Sequence, residues 1–209
     1  MGKLIGIVSL KGGVGKTSVV AALGAAISQF NKKVLLVDAN LSAPNLGIHL
    51  NLVKPKHTLH HVLEGVVNAK DAIYSFEDFD IMPSSVFYKN EISPLKLKDK
   101  LKPLKERYDI ILIDSSPSLN EETLAVLLAS DEVFVVTTPD FPTLSMTLKA
   151  IKIAKQRGTP INGLILNKIH NKNFELSLKE IEYVAEVPVM AVLPYEIDVL
   201  RALSEFTPS

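Results

Sequence analysis

No cysteine stands anywhere in the 209 residues. That absence removes disulfides, thiolate metal sites and cysteine nucleophiles together, and it fits a reducing compartment. Net charge is missing as well, because 23 basic side chains balance 23 acidic ones. No whole-protein field therefore draws the chain to nucleic acid or to an acidic lipid surface. Long apolar runs are scarce too. Residues 19–27 are all apolar or glycine, a length far too short to span a bilayer. The start lacks the charged, apolar and small-residue succession of a signal peptide, and Gly6 stands where N-myristoylation requires Ser or Thr. The expected location is the cytoplasm. What remains is an ordinary globular composition, 47% hydrophobic and 22% charged, which predicts one core and a single domain over residues 1–209.

Short β-branched runs alternate with helix-compatible segments along the chain, the pattern of βα units around a mainly parallel sheet. The expected fold is α/β with three layers, a sheet flanked by helices. Strands are expected over residues 4–9, 34–38, 79–83, 109–114, 132–138, 161–167 and 189–193. Helices are expected over 17–30, 59–67, 94–107, 121–129, 144–157 and 176–185, with Pro103 ending or kinking the third. Between 39 and 58, Pro44, Gly47 and Pro55 predict loop with one helical turn. Ligands of such sheets sit at the carboxyl ends of the strands, and every motif below falls at such an end.

The first is Lys11-Gly12-Gly13-Val14-Gly15-Lys16-Thr17-Ser18, directly after the first expected strand and before a helix. Glycines at these positions let consecutive backbone N–H groups turn inward around phosphate oxygens, and the helix N-terminus adds donors and partial positive charge. In this pattern Lys16 neutralises the β and γ phosphates, Thr17 offers its hydroxyl to Mg²⁺, and Ser18 reaches a phosphate one step further along. The plain Walker pattern asks for glycine where Leu10 stands.

Lys11, just ahead of Gly-Gly-x-Gly-Lys-Thr, resembles the deviant Walker A motif of the MinD/ParA family of P-loop ATPases. The resemblance implies ATP, ADP and Mg²⁺ as ligands. It also implies a homodimer formed with ATP, in which Lys11 reaches across the interface to the partner's nucleotide. Asp114, closing Ile110-Ile111-Leu112-Ile113, looks like the Walker B carboxylate that holds Mg²⁺ through water. Residues 115–120 are similar to the family's second switch, with Asn120 where the ParA version has glycine. Asp38 matches the first acidic position of the family's Asp-x-Asp phrase and is carried over as a metal-shell residue. The second acidic position is Asn40. In MinD-like proteins that aspartate orients or activates the attacking water, and an amide cannot accept a proton at neutral pH. General-base help is worth about 10² to 10⁴ in rate, so weak hydrolysis is implied. A naturally slow site, another residue in the role and an introduced substitution all remain open. Lys11, Lys16, Asp38 and Asn40 are thus the residues that the resemblance places in the catalytic machinery. Residues 41–47 resemble the first switch of archaeal MinD-like sequences. Asn167-Lys168 is similar to the family's adenine-reading pair, and Pro194 to the proline turn on the other side of the base. An asparagine after a strand is otherwise an ordinary turn former.

Residues 89–107 carry seven basic and three acidic side chains, read as a solvated helix face since no aromatics are interleaved for stacking bases. MinD proteins that bind membrane carry a C-terminal amphipathic helix. Residues 200–209, with Pro208, do not read as one, so peripheral attachment to the inner face of the membrane is expected only if such a tail exists. The favoured reading is an ATP-dependent dimerising switch of the MinD type that positions a division site or other cell structure through a regulatory protein partner. The alternatives are a ParA-like DNA-partitioning ATPase, a metallocentre-assembly ATPase and a non-hydrolysing ATP-binding scaffold. The neutral charge speaks against the first, and the lack of paired cysteines against the second.

Overall fold

The structure, a computed structural model, describes residues 1–170, 172–173 and 175–196; the tail at 200–209 lies outside them. In chain order the elements are β1 (Lys3–Val8), α1 (Lys16–Ser28), β2 (Val34–Asp38), α2 (Leu46–His49), α3 (Leu59–Glu64), β3 (Tyr74–Ser75) and β4 (Asp80–Met82). There follow α4 (Leu97–Leu101), β5 (Ile110–Asp114), α5 (Glu121–Ala129), β6 (Glu132–Thr137), α6 (Phe141–Gln156), β7 (Ile161–Ile169), α7 (Leu178–Ala185) and β8 (Val189–Pro194). The eight strands form one sheet in the order β3-β4-β2-β5-β1-β6-β7-β8. Every pair is parallel except β3–β4.

Successive side chains of a strand point to opposite faces, and here both faces are apolar. Leu35, Val37, Ile111, Ile113, Val133 and Val135 enter one buried cluster together with α4, α5 and α6 side chains such as Leu101, Val126 and Ile151. Their neighbours Val34, Leu36, Leu112, Val136, Ile5 and Ile7 enter a second, with Val19 and Val20 of α1. Doubly covered strands read as continuous apolar runs, as both β2 and β5 do before their terminal carboxylates. Each fully buried Leu or Ile side chain contributes about 2 kcal/mol of burial. α1 lies close on the sheet because Gly24 faces Leu36, whose Cδ2 would be 2.7 Å from any added Cβ.

Several boundaries differ from expectation for local reasons. The helix expected over 94–107 is three pieces, a 3-10 turn at Pro94–Lys96, α4, and a second 3-10 turn at Lys102–Glu106 that contains Pro103. α6 starts at Phe141, three residues early, because the Asp140 carboxylate accepts the Thr143 N–H as an N-cap and Pro142 stands in the first turn. α3 stops at Glu64, where Gly65 takes φ +91°. The helical turn expected between 39 and 58 is α2. The two-residue strand β3 has no periodic signal at all. No helix among the described residues is long and apolar enough to cross a membrane.

Candidate functional site

Parallel register sets the site. Asp38 at the end of β2 pairs with Asp114 at the end of β5, and Asp114 pairs with Ile7 of β1. Two carboxylates therefore stand side by side at the carboxyl edge of the sheet, next to the point where β1 runs into the glycine loop. That loop turns through Gly13 and Gly15, at φ +80° and +85°, where a side chain would be strained. Gly15 is also a point of close approach, since a Cβ there would lie 2.3 Å from Asn167 Nδ2. It occupies the N-cap of α1 without any side-chain cap, so the first-turn N–H groups face outward as donors for an anion.

Lys16 and Thr17, the first two residues of α1, converge on Asp114. Lys16 Nζ donates to Asp114 Oδ1 and to the Ser115 carbonyl, and both charged side chains are buried. Thr17 Oγ1 donates to Asp114 Oδ2 at 2.6 Å. Ser18 follows in the same turn, half-buried. Asp38 is wholly buried and accepts N–H groups of Asn40, Asn45 and Leu46 at 3.2, 3.1 and 2.9 Å. Burial first, and the Asp114 charge second, push its carboxyl above the usual carboxylate range; the Leu46 and Asn40 N–H groups and Lys16 oppose that rise. Asn40 is buried in the loop behind it. Its Nδ2 donates to the Ala43 carbonyl, and its Oδ1 is left without a partner.

On the other side of the loop, Asn167 Nδ2 donates to the Val14 carbonyl at 2.8 Å and Lys168 Nζ to the Gly13 carbonyl at 2.7 Å. Lys168 takes φ +60° to do so. Both residues thus brace the glycine loop, a contact that no sequence motif announces. Pro194 pairs with Ile169 on the adjoining strand. Lys11 is exposed and lines a cleft of about 470 Å³ with Gly12, Gly13, Asp140, Lys168 and His170; its peptide N–H donates to Ser9 Oγ.

Sequence reasoning passed over three further side chains. His60 is buried beneath the 40–46 loop, its Nδ1 accepting the Ser85 N–H, which leaves Nε2 to donate to the Leu41 carbonyl. Burial pulls its pKa down to about 4. Glu122 accepts from Ser42. Asp140 caps α6; burial pushes its carboxyl up, but hydrogen bonds from Thr138 Oγ1 and from the Thr143 N–H and hydroxyl, with the Lys11 charge a smaller aid, hold it below the usual range. His60 and Glu122 carry no motif, because their contacts depend on which segments the fold makes neighbours, whereas Asp140 carries only a helix-cap signal.

A family model described as an AAA domain matches residues 2–162. An ATP-binding protein of Methanocaldococcus jannaschii, itself uncharacterized, is 37% identical over 98% of this chain and 78% of its own length. Among solved structures, the cell division ATPase MinD of Pyrococcus furiosus superposes with TM-score 0.94 at 35% identity, covering all of this chain and 90% of that one. The septum site-determining protein MinD of Pyrococcus horikoshii, complexed with Mg-ADP, gives 0.93 at 35% identity, covering all of this chain and 87% of that one. With a glycine loop feeding α1 and paired carboxylates beside it, the chain belongs to the MinD/ParA family of P-loop ATPases.

Proposed function

We propose that this chain binds Mg-ATP on the loop 11–18 and works as an ATP-dependent dimerising switch of the MinD type, read by a regulatory protein partner in placing a division site or other cell structure. The observation that carries this reading is the convergence of Lys16 and Thr17 on the two oxygens of Asp114. A lysine and a hydroxyl delivered by one helix N-terminus to one carboxylate are the parts that phosphate and Mg²⁺ require. With nucleotide, Lys16 exchanges Asp114 for β and γ phosphate oxygens, and the first-turn N–H groups of α1 take the remaining ones.

The donors near the phosphates, Thr17 Oγ1, Asp114 and Asp38, are all oxygens, the hard set that suits Mg²⁺. Thr17 would hold the ion directly and the two carboxylates through water. Bound there, Mg²⁺ supplies positive charge against the phosphates. The Mg-ADP complex of the Pyrococcus horikoshii relative supports this assignment. The base is assigned to the end of β7 and β8, beside Asn167, Lys168 and Pro194. Lys11 is assigned to the partner subunit's triphosphate, consistent with its exposure on the rim of the loop. Hydrolysis is slow in this reading, because Asn40 offers an amide oxygen where a base would stand. An amide oxygen can accept a hydrogen bond from a water but cannot take its proton.

Titration with a fluorescent ATP analogue tests the site. Lys16→Ala is expected to weaken binding at least about a hundredfold, the loss of a charged contact of about 3 kcal/mol. Thr17→Ala is expected to lose the Mg²⁺ dependence while keeping the fold. Undiminished affinity in Lys16→Ala contradicts the assignment.

A further inference from the structure

The loop 39–46 carries Asn40 and the partners of Asp38, yet little of the sheet holds it. Ala39 N–H reaches the Asp114 carbonyl. Beyond that, Asp38 accepts three of its N–H groups, and a carboxylate from a different element accepts another. Glu122 Oε1 accepts the Ser42 N–H at 2.9 Å, and Ser42 Oγ donates to Glu122 Oε2 at 3.3 Å. Both oxygens of one carboxylate thus grip one residue of the loop, 80 positions away in sequence. The same helical turn grips the segment that follows Asp114. Thr123 Oγ1 donates to the Ser116 and Ser118 carbonyls at 3.1 and 2.7 Å. Asn120 Nδ2 donates to Ser116 Oγ at 3.2 Å, while Asn120 Oδ1 caps α5 through the Thr123 N–H. Ser115, next along, carries the carbonyl that Lys16 holds. A path of contacts therefore runs from Lys16 through residues 115–118 and the first turn of α5 to Ser42, two residues along the chain from Asn40.

We propose that Glu122 is a positioning residue that couples the loop bearing Asn40 to the segment after Asp114, with the first turn of α5 as the rigid link between them. The proposal rests on the nucleotide reading above. When Lys16 leaves the Ser115 carbonyl for phosphate, residues 115–118 lose that tie and shift, and Thr123 and Asn120 carry the shift into α5. Glu122 then moves Ser42, so the position of Asn40 reports the occupancy of the loop 11–18. Both Ser42 contacts are hydrogen bonds to a charged acceptor, a kind about twice as strong as a neutral pair.

Amide hydrogen exchange followed by mass spectrometry tests this, with Mg²⁺ and a non-hydrolysable ATP analogue as the probe. In the wild type, the analogue is expected to slow exchange in both 11–18 and 39–46. In Glu122→Ala, protection of 11–18 should persist while exchange in 39–46 becomes about tenfold faster and no longer responds to the analogue. Glu122→Gln keeps one acceptor oxygen and should restore part of that response. Full protection of 39–46 in Glu122→Ala overturns the proposal. If the analogue leaves 11–18 unprotected in the wild type, the nucleotide reading itself fails, an outcome distinct from a failure of the coupling alone.

Discussion

Asn40 is the residue on which chemistry and packing pull in different directions. Its amide N–H closes the turn onto the Ala43 carbonyl, a bond that a carboxylate cannot donate. Asn40→Asp would set an acceptor against that carbonyl and add a third carboxylate beside Asp38 and Asp114. We expect the variant to lose thermal stability and, if the missing base limits turnover, to release phosphate about tenfold faster or more. An unchanged rate would place the base elsewhere. His60 answers to pH. Its folded pKa is about 4 against an ordinary 6.5, so the unfolded chain binds the proton more tightly between those values. Its contribution to stability is complete above about pH 6.5 and falls as pH drops toward 4. Urea unfolding at pH 7 and pH 5 should show a smaller loss between the two in His60→Gln than in the wild type. Equal losses would mean that the imidazole is solvated in the folded state.

At the scale of elements, the glycine loop and α1 act as one unit, and Gly15 is the joint. Gly15→Ala meets both a left-handed φ and Asn167 Nδ2. The variant is expected to fold with its sheet intact but to displace the Asn167 brace and lose most of its nucleotide affinity, measured by titration alongside circular dichroism. Unchanged affinity would show that the loop tolerates a wider turn. Such local constraints explain what could be read in advance. β2 and β5 were legible because burial on both faces leaves an unbroken apolar run, and the loop because glycine spacing is dictated by backbone N–H geometry. The start of α6 was misplaced by three residues, although Asp140 and Pro142 carry a cap signal. β3 was invisible, because two residues paired to β4 leave no period. The grips of Asn167 on Val14, His60 on Leu41 and Glu122 on Ser42 join segments 153, 19 and 80 residues apart. No spacing rule along the chain encodes such contacts; they follow from the order of the strands.

For the whole molecule, the balanced charge means that association must come from specific surfaces rather than from a general field. We assign that role to ATP held between two copies, with Lys11 supplying charge to the partner's triphosphate. Lys11→Ala should therefore bind ATP with near-normal affinity and remain monomeric, since the residue is exposed and outside the buried Lys16–Asp114 pair. An ATP-driven dimer in that variant would refute the role. The most direct test of the central claim is mass by light scattering, first with ADP and then with ATP and Mg²⁺, while phosphate release is followed on the same sample. Doubling of mass with ATP alone, with little phosphate released, is the result predicted for a dimerising switch with Asn40 in place. An unchanged mass with ATP fully bound would contradict it and leave a monomeric ATP-binding protein.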